Sequence, residues 1–242
     1  MLKILSKEIS SYLNSLIAYI VISVFLTGIG LLMWVFPETN VLDYGFADME
    51  TLFSFSPYVF LFLIPAVTMR LFAEEKKTGT LELLFTQPVT DFQIILAKYF
   101  SALIIVIFAL VPTLIYYFSI YRLGQTVGNI DTAGVIGSYI GLILLGAVFT
   151  AIGVFASSIT ENQIVAFIIA VFLCFFFYSG FSSIAAIDVW GKSSNFLDQL
   201  GLLYHYNALS KGLIDARNVV YLLSLTVVML LLTHVIINSR KW

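Results

Sequence analysis

Six stretches of the chain are apolar almost without interruption: 16–36, 53–72, 99–121, 135–158, 163–184 and 219–238. Each reaches the roughly 20 residues an α-helix needs to cross the hydrocarbon of a bilayer. Helices are predicted over strands because every run is long and continuous, and because a helix satisfies its backbone N–H and C=O groups within itself. Pro57, Pro65 and Pro112 fall inside the second and third runs. They predict kinks and not ends, since neighbouring helices can take up the freed carbonyls. The first 15 residues follow a different pattern. Leu2, Leu5, Ile9, Tyr12 and Leu16 recur at steps of three and four, with Lys3, Ser6, Lys7, Ser10, Ser11 and Asn14 on the other faces. That is an amphipathic helix lying in a membrane surface, and it offers a docking face for a partner as well.

Composition narrows the class. Of 242 residues, 60% are hydrophobic and 11% charged, and the mean hydropathy is +1.01. A soluble domain carries roughly 25% charged residues. The expected fold class is therefore an all-α membrane protein of six transmembrane helices, with lipid as solvent and a single transmembrane domain over 1–242. No loop is long enough to hold a nucleotide-binding domain, so any ATP is expected to be hydrolysed by another chain. The net charge of −2 gives no reason to expect a nucleic-acid partner.

The distribution of charge sets an orientation. With the amino terminus cytoplasmic, Lys3, Lys7, Arg70, Lys76, Lys77, Lys98, Arg240 and Lys241 lie inside, and Arg122, Lys192, Lys211 and Arg217 outside, which is 8 of the 12 basic residues against 4. The first outer loop sharpens the contrast, holding Glu38, Asp43, Asp48 and Glu50 and no base. The positive-inside rule then places both termini in the cytoplasm.

The stretch 74–93, predicted to be a cytoplasmic loop, is the most informative. Glu74, Glu75, Lys76 and Lys77 put four charges directly after the second span. Gly79 permits a sharp turn. Residues 81–86 suffice for about one and a half helical turns, with Glu82 near the positive end of the dipole. Pro88 ends that helix. Thr90 and Gln93 form a capping box, flanked by Val89 and Ile94 as a hydrophobic staple, so a new helix starts there and runs into the third span. Leu81, Leu83, Leu84 and Phe85 are too apolar for a free loop. They must rest on lipid, on this protein or in a groove of another one.

The longest outer loop, 185–218, carries Leu197, Leu200, Leu203 and Tyr204, and then Leu209, Leu213 and Ile214, at helical spacing, with Gly201 and Gly212 between and after them. Two short helices are predicted, forming a lipid-facing cap, a gate or a partner contact. In the fourth span Gly137 and Gly141 form a Gly-x-x-x-Gly pair, and Gly146, Thr150, Gly153 and Ser157 follow along one face. Small residues let helices approach closely, whether inside the bundle or against a second membrane subunit.

Catalytic chemistry is hard to find. Ala186–Ser193 fits a relaxed phosphate-loop pattern, but it follows a membrane span on the side without ATP and lacks the strand and helix the mechanism needs. His205 and His234 are far apart with no second ligand at helical spacing, so no metal site is expected. Cys174 is a lone thiol in an apolar run. No span carries an uncompensated central charge, which weighs against an ion-coupled carrier.

The run Glu-Glu-Lys-Lys-Thr-Gly-Thr-Leu-Glu-Leu-Leu-Phe-Thr-Gln-Pro-Val from Glu74 to Val89 resembles the inner loop of the ABC-2 type permeases. The resemblance extends over the whole chain: amphipathic first helix, six spans, this loop after the second, and an outer helical segment before the last. The run from Leu203 to Arg217 makes it most similar to the gliding-motility-associated permeases of Bacteroidetes-type bacteria. The resemblance implies a permease of the bacterial inner membrane that is not itself an enzyme and binds no cofactor, ATP being bound by a cytoplasmic ATPase partner. It implies that Gly79, Thr80, Leu81, Glu82, Leu83, Leu84, Phe85 and Pro88 form a coupling helix seated on that ATPase, with Glu74, Glu75, Lys76 and Lys77 as a charged gate region. A second membrane permease or accessory subunit is the further implied partner, one bearing a large outer domain in the gliding-type members. A mechanical transmitter that acts on an outer partner without moving a substrate is the alternative.

Overall fold

The structure, a computed structural model, describes residues 1–43, 47–86, 88–124, 126–187, 194–212 and 215–239, apart from the side chains of Phe85 and Ser194. The helices in chain order are α1 (Leu2–Leu13), α2 (Leu16–Trp34), α3 (Glu50–Thr68), α4 (Arg70–Thr78), α5 (Thr80–Phe85), α6 (Asp91–Leu110), α7 (Leu114–Leu123), α8 (Thr132–Ile159), α9 (Gln163–Phe175), α10 (Phe181–Ala185), α11 (Ser194–Gln199), α12 (Leu202–Ser210) and α13 (Ala216–Ser239). Together they make six candidate spans: Leu16–Trp34, Glu50–Thr78, Asp91–Leu123, Thr132–Ile159, Gln163–Ala185 and Ala216–Ser239. The chain is an all-helical, multi-pass membrane protein.

Local chemistry sets several boundaries. Thr90 caps α6, its hydroxyl accepting from the Gln93 amide, so the third span begins at Asp91, well before the apolar run. Gly79 ends α4 with φ of 71°, a left-handed conformation that other residues rarely adopt. Lys76 and Lys77 occupy the last turn of α4, where the helix dipole favours cations. Pro57 and Pro65 lie within α3, and Pro112 sits in a 3-10 turn between α6 and α7. Pro57 has no N–H for the Phe53 carbonyl, and the hydroxyl of Tyr206, on α12, donates to that carbonyl at 2.5 Å instead. A single π turn, Phe176–Gly180, joins α9 to α10 and buries Tyr178 edge-on against Tyr58 and Phe149.

The fourth span, α8, is the axis of the bundle and its most buried span. Its glycines mark close approaches. A Cβ on Gly137 would sit 2.9 Å from Gly212 Cα, one on Gly141 3.0 Å from Leu209 Cβ, and one on Gly146 3.1 Å from Val106 Cγ1. A Cβ on Gly153 would land on the Thr68 hydroxyl of α3. All four lie against neighbouring elements of the same chain. Between apolar helices in lipid the hydrophobic effect does not discriminate one contact from another, so such close packing decides which helices meet.

The segment before the last span differs from the sequence-based expectation. Its break falls at Gly201, so Leu197 lies on α11 while Leu203 and Tyr204 share α12 with Leu209. Leu213 and Ile214 lie outside the described residues. α12 is no lipid-facing cap: Leu202, His205, Tyr206 and Leu209 are buried, packed onto α8 and α13.

Candidate functional site

The stretch after the second span, expected to be a loop, is for the most part helix. α4 continues α3 past a single break at Met69, and side chains from other helices hold the backbone there. In an uninterrupted helix the carbonyls of Val67 and Met69 would accept from amides four residues on, and that of Leu71 lies in the first turn of α4 just beyond the break. Here side chains from three other helices reach them. The Tyr12 hydroxyl of α1 donates to Val67 O at 2.9 Å. The Ser157 hydroxyl of α8 donates to Met69 O at 2.9 Å. Lys98 Nζ of α6 donates to Leu71 O at 2.8 Å. Ser157 Oγ also accepts from the amides of Phe72 at 3.0 Å and Ala73 at 3.1 Å. One donor and two acceptor sites are all a hydroxyl has, and the backbone of this junction uses them fully.

A charged cluster lies beside the junction. Lys98 is 1% exposed. Its ammonium lies 3.0 Å from Glu8 Oε1 on α1 and 2.8 Å from Glu75 Oε1 on α4, and over the ring of Phe72 at 5.3 Å. Lys7 approaches the same Glu75 oxygen at 3.8 Å from the exposed rim. Glu75 Oε2 is buried and makes no hydrogen bond. A second tie holds the corner between α1 and α2: the Arg70 guanidinium lies 4.5 Å above the Tyr12 ring and donates to Ser15 Oγ at 3.2 Å. Burial raises the pKa of the Tyr12 hydroxyl and keeps it a donor. Two carboxylates around one buried ammonium are costly to separate, because removing any member leaves a charge in low dielectric. The effect is to lock α1, α4 and the start of α6 into one block.

The residues singled out by sequence are not equivalent. Glu75 enters the buried cluster, whereas Glu74 and Lys77 are exposed and Lys76 donates to the backbone carbonyl of Ser158 at the end of α8. On α5, Leu81 is 8% exposed and anchors the helix inward; Leu84 is half-buried against the core. Glu82 and Leu83 face out, Leu83 at 67% exposure, together with Gly79, Thr80 and Pro88. Lys98 and Ser157 were not foreseen as functional. Lys98 is expected at the inner surface from its position before the apolar run, and its burial depends on partners 90 and 23 residues away in sequence. The small-residue face of α8 does include Ser157, but spacing says nothing of what its hydroxyl meets.

On the opposite face a cleft of about 500 Å³ opens between the ends of α3, α8 and α12, lined by Asp48, Glu50, Asp131, Ser138 and Lys211. His205 is buried near that face, its ring nitrogens 2.7 Å from Asn218 Oδ1 and 2.8 Å from Gln199 O, and its ring stacked on Tyr221. Both nitrogens are therefore engaged. The phosphate-loop-like segment from Asp188 to Ser193 lies outside the described residues, as do Arg240 and Lys241.

The family model described as ABC-2 family transporter protein matches residues 3–242. The chain belongs to the ABC-2 transporter family. No curated protein matches it. An ABC-2 permease is the transmembrane component of an ABC transporter, and its ATPase is a partner subunit. In this ABC-2 permease the junction at Met69 lies where the second membrane span continues into α4.

Proposed function

We propose that this permease receives force from its ATPase at α5 and delivers it to the second span through the junction at Met69. The face carrying α1, α4 and α5 is then cytoplasmic, both termini are inside, and the membrane is the inner membrane of a bacterium. One observation carries the reading. Exposed Glu82 and Leu83 lie on a short helix anchored by Leu81, and a single left-handed glycine joins that helix to a rod continuous with the span. A partner pressing on α5 moves α4, and α4 cannot move without α1 and α6, because Lys98 joins them. ATP-driven closure of the partner would then tilt the second and third spans and open a path for substrate where two such permeases meet, or against a second, different membrane subunit. The resemblance of the Leu203–Arg217 run favours a gliding-motility or envelope-related system.

The test is co-purification with the ATPase, with ATP turnover measured alongside. Leu83→Asp and Glu82→Lys change side chains that face out, and each is expected to abolish or strongly weaken ATPase association while leaving the permease folded. Leu84→Asp is less clean, since Leu84 also packs on the core. Unchanged association in both outward variants overturns the coupling role of α5. Substrate movement in vesicles holding the complex separates a permease from a mechanical transmitter that works on an outer partner.

A further inference from the structure

Ser157 is the inward-facing hydroxyl in the α8 wall that touches the second span at its break. Ser158, the next residue, donates to Phe155 O within its own helix. Ser157 instead leaves α8 and stands between the Met69 carbonyl and the Ala73 amide, the pair that would close one rung of an unbroken helix. It also holds the Phe72 amide. A side chain inserted into the helical ladder is a recognised physical cause of a kink. The neighbouring turn of α8 adds a steric limit, because Gly153 lies so close to Thr68 that no Cβ fits. The junction is thus held from α8 by a hydroxyl on one turn and by bare backbone on the next.

We infer that Ser157 is a positioning residue for energy coupling: its hydroxyl sets the angle at which α4 leaves the second span, so that movement of α5 is turned into movement of the span and not lost in straightening the hinge. The inference rests on the coupling reading of α5. The physical alternative open to the backbone is specific. Without the hydroxyl, the Phe72 and Ala73 amides are buried and must find acceptors, and the carbonyls of Thr68 and Met69 are those a regular helix provides. Closing those rungs straightens the rod and changes where α5 is presented.

The experiment uses the permease with its ATPase in lipid nanodiscs. Cysteines at exposed Thr86 and Glu161 carry spin labels that report the distance from the end of α5 to the end of α8, with and without ATP. Buried Cys174 stays unlabelled. Ser157→Ala removes the hydroxyl; Ser157→Cys keeps the volume with a much weaker acceptor. Both are expected to bind the ATPase, to show a displaced nucleotide-free distance, and to lower the population of the ATP-shifted state by about 2- to 30-fold. Ser158→Ala is the control and is expected to match the parent. If Ser157→Ala fails to fold, Ser157→Cys carries the test alone. A parent that shifts with ATP while the Ser157 variants shift equally overturns this inference and leaves the coupling role of α5 standing. A parent that binds the ATPase but shows no shift overturns both.

Discussion

At the scale of single residues, the chemistry of the junction is set by what a group can do when it has no access to water. Lys98 lies in an apolar setting with two carboxylates and a carbonyl around its Nζ. Lys98→Met leaves Glu8 and Glu75 facing each other without the buried cation between them. The expected loss is about 3–5 kcal/mol of stability, readable as earlier unfolding in a detergent–denaturant titration. Replacing Lys7, which is largely exposed at 3.8 Å from Glu75, is expected to have a much smaller effect. Gly153 makes the complementary point about volume. Gly153→Ala drives a methyl into the Thr68 hydroxyl, and overpacking of this kind costs about 1–3 kcal/mol. Thr68→Ala removes the hydroxyl and the methyl but leaves Cβ 2.8 Å from the added one, so the double variant is expected to recover part of the loss. Additive losses would show that the two positions do not press on each other.

At the scale of elements, a helix that contains proline is completed by other elements. Pro57 frees the Phe53 carbonyl, and α12 supplies the Tyr206 hydroxyl to it. This contact is a reason for α12 to fold inward onto the bundle. Tyr206→Phe strands a buried carbonyl, with an expected cost of about 1–3 kcal/mol. In a Pro57→Ala background residue 57 regains its N–H and can bond Phe53 itself, so the same tyrosine substitution is expected to cost less. An equal cost in both backgrounds, measured by thermal unfolding in detergent, would mean that Tyr206 stabilises the fold by packing and not through this bond.

At the scale of the whole molecule, six spans alternate around α8, so the loops fall into two sets. Thr86 and Glu161 belong to one, and Asp43 and Val127 to the other. Single cysteines at these exposed positions are expected to react with an impermeant reagent from opposite sides of intact membranes, Thr86 and Glu161 from the cytoplasm. Labelling of Thr86 from the outer side would reverse the orientation and remove the ATPase contact from α5. The two faces also differ in construction. The α5 face is bound by ion pairs across three helices, whereas the opposite face presents an acidic cleft around Asp48, Glu50 and Asp131.

The sequence alone determined features whose causes lie within a few residues: six apolar rods of bilayer length, the cap at Thr90, the turn at Gly79, and the short helix between them. The family, too, was legible from the Glu74–Val89 run and the hydropathy profile over the chain. Tertiary structure decided what the polar groups do. Ser157 meets residues 84 to 88 positions away, Lys98 meets Glu8 across 90, and Tyr206 meets Phe53 across 153. Hydropathy could not place those partners, because in lipid every face of a spanning helix is apolar and burial gives no preferred side. Which hydroxyl or ammonium reaches a broken rung follows from close packing at glycines and from the cost of leaving a backbone group without a partner, and both are properties of the assembled bundle.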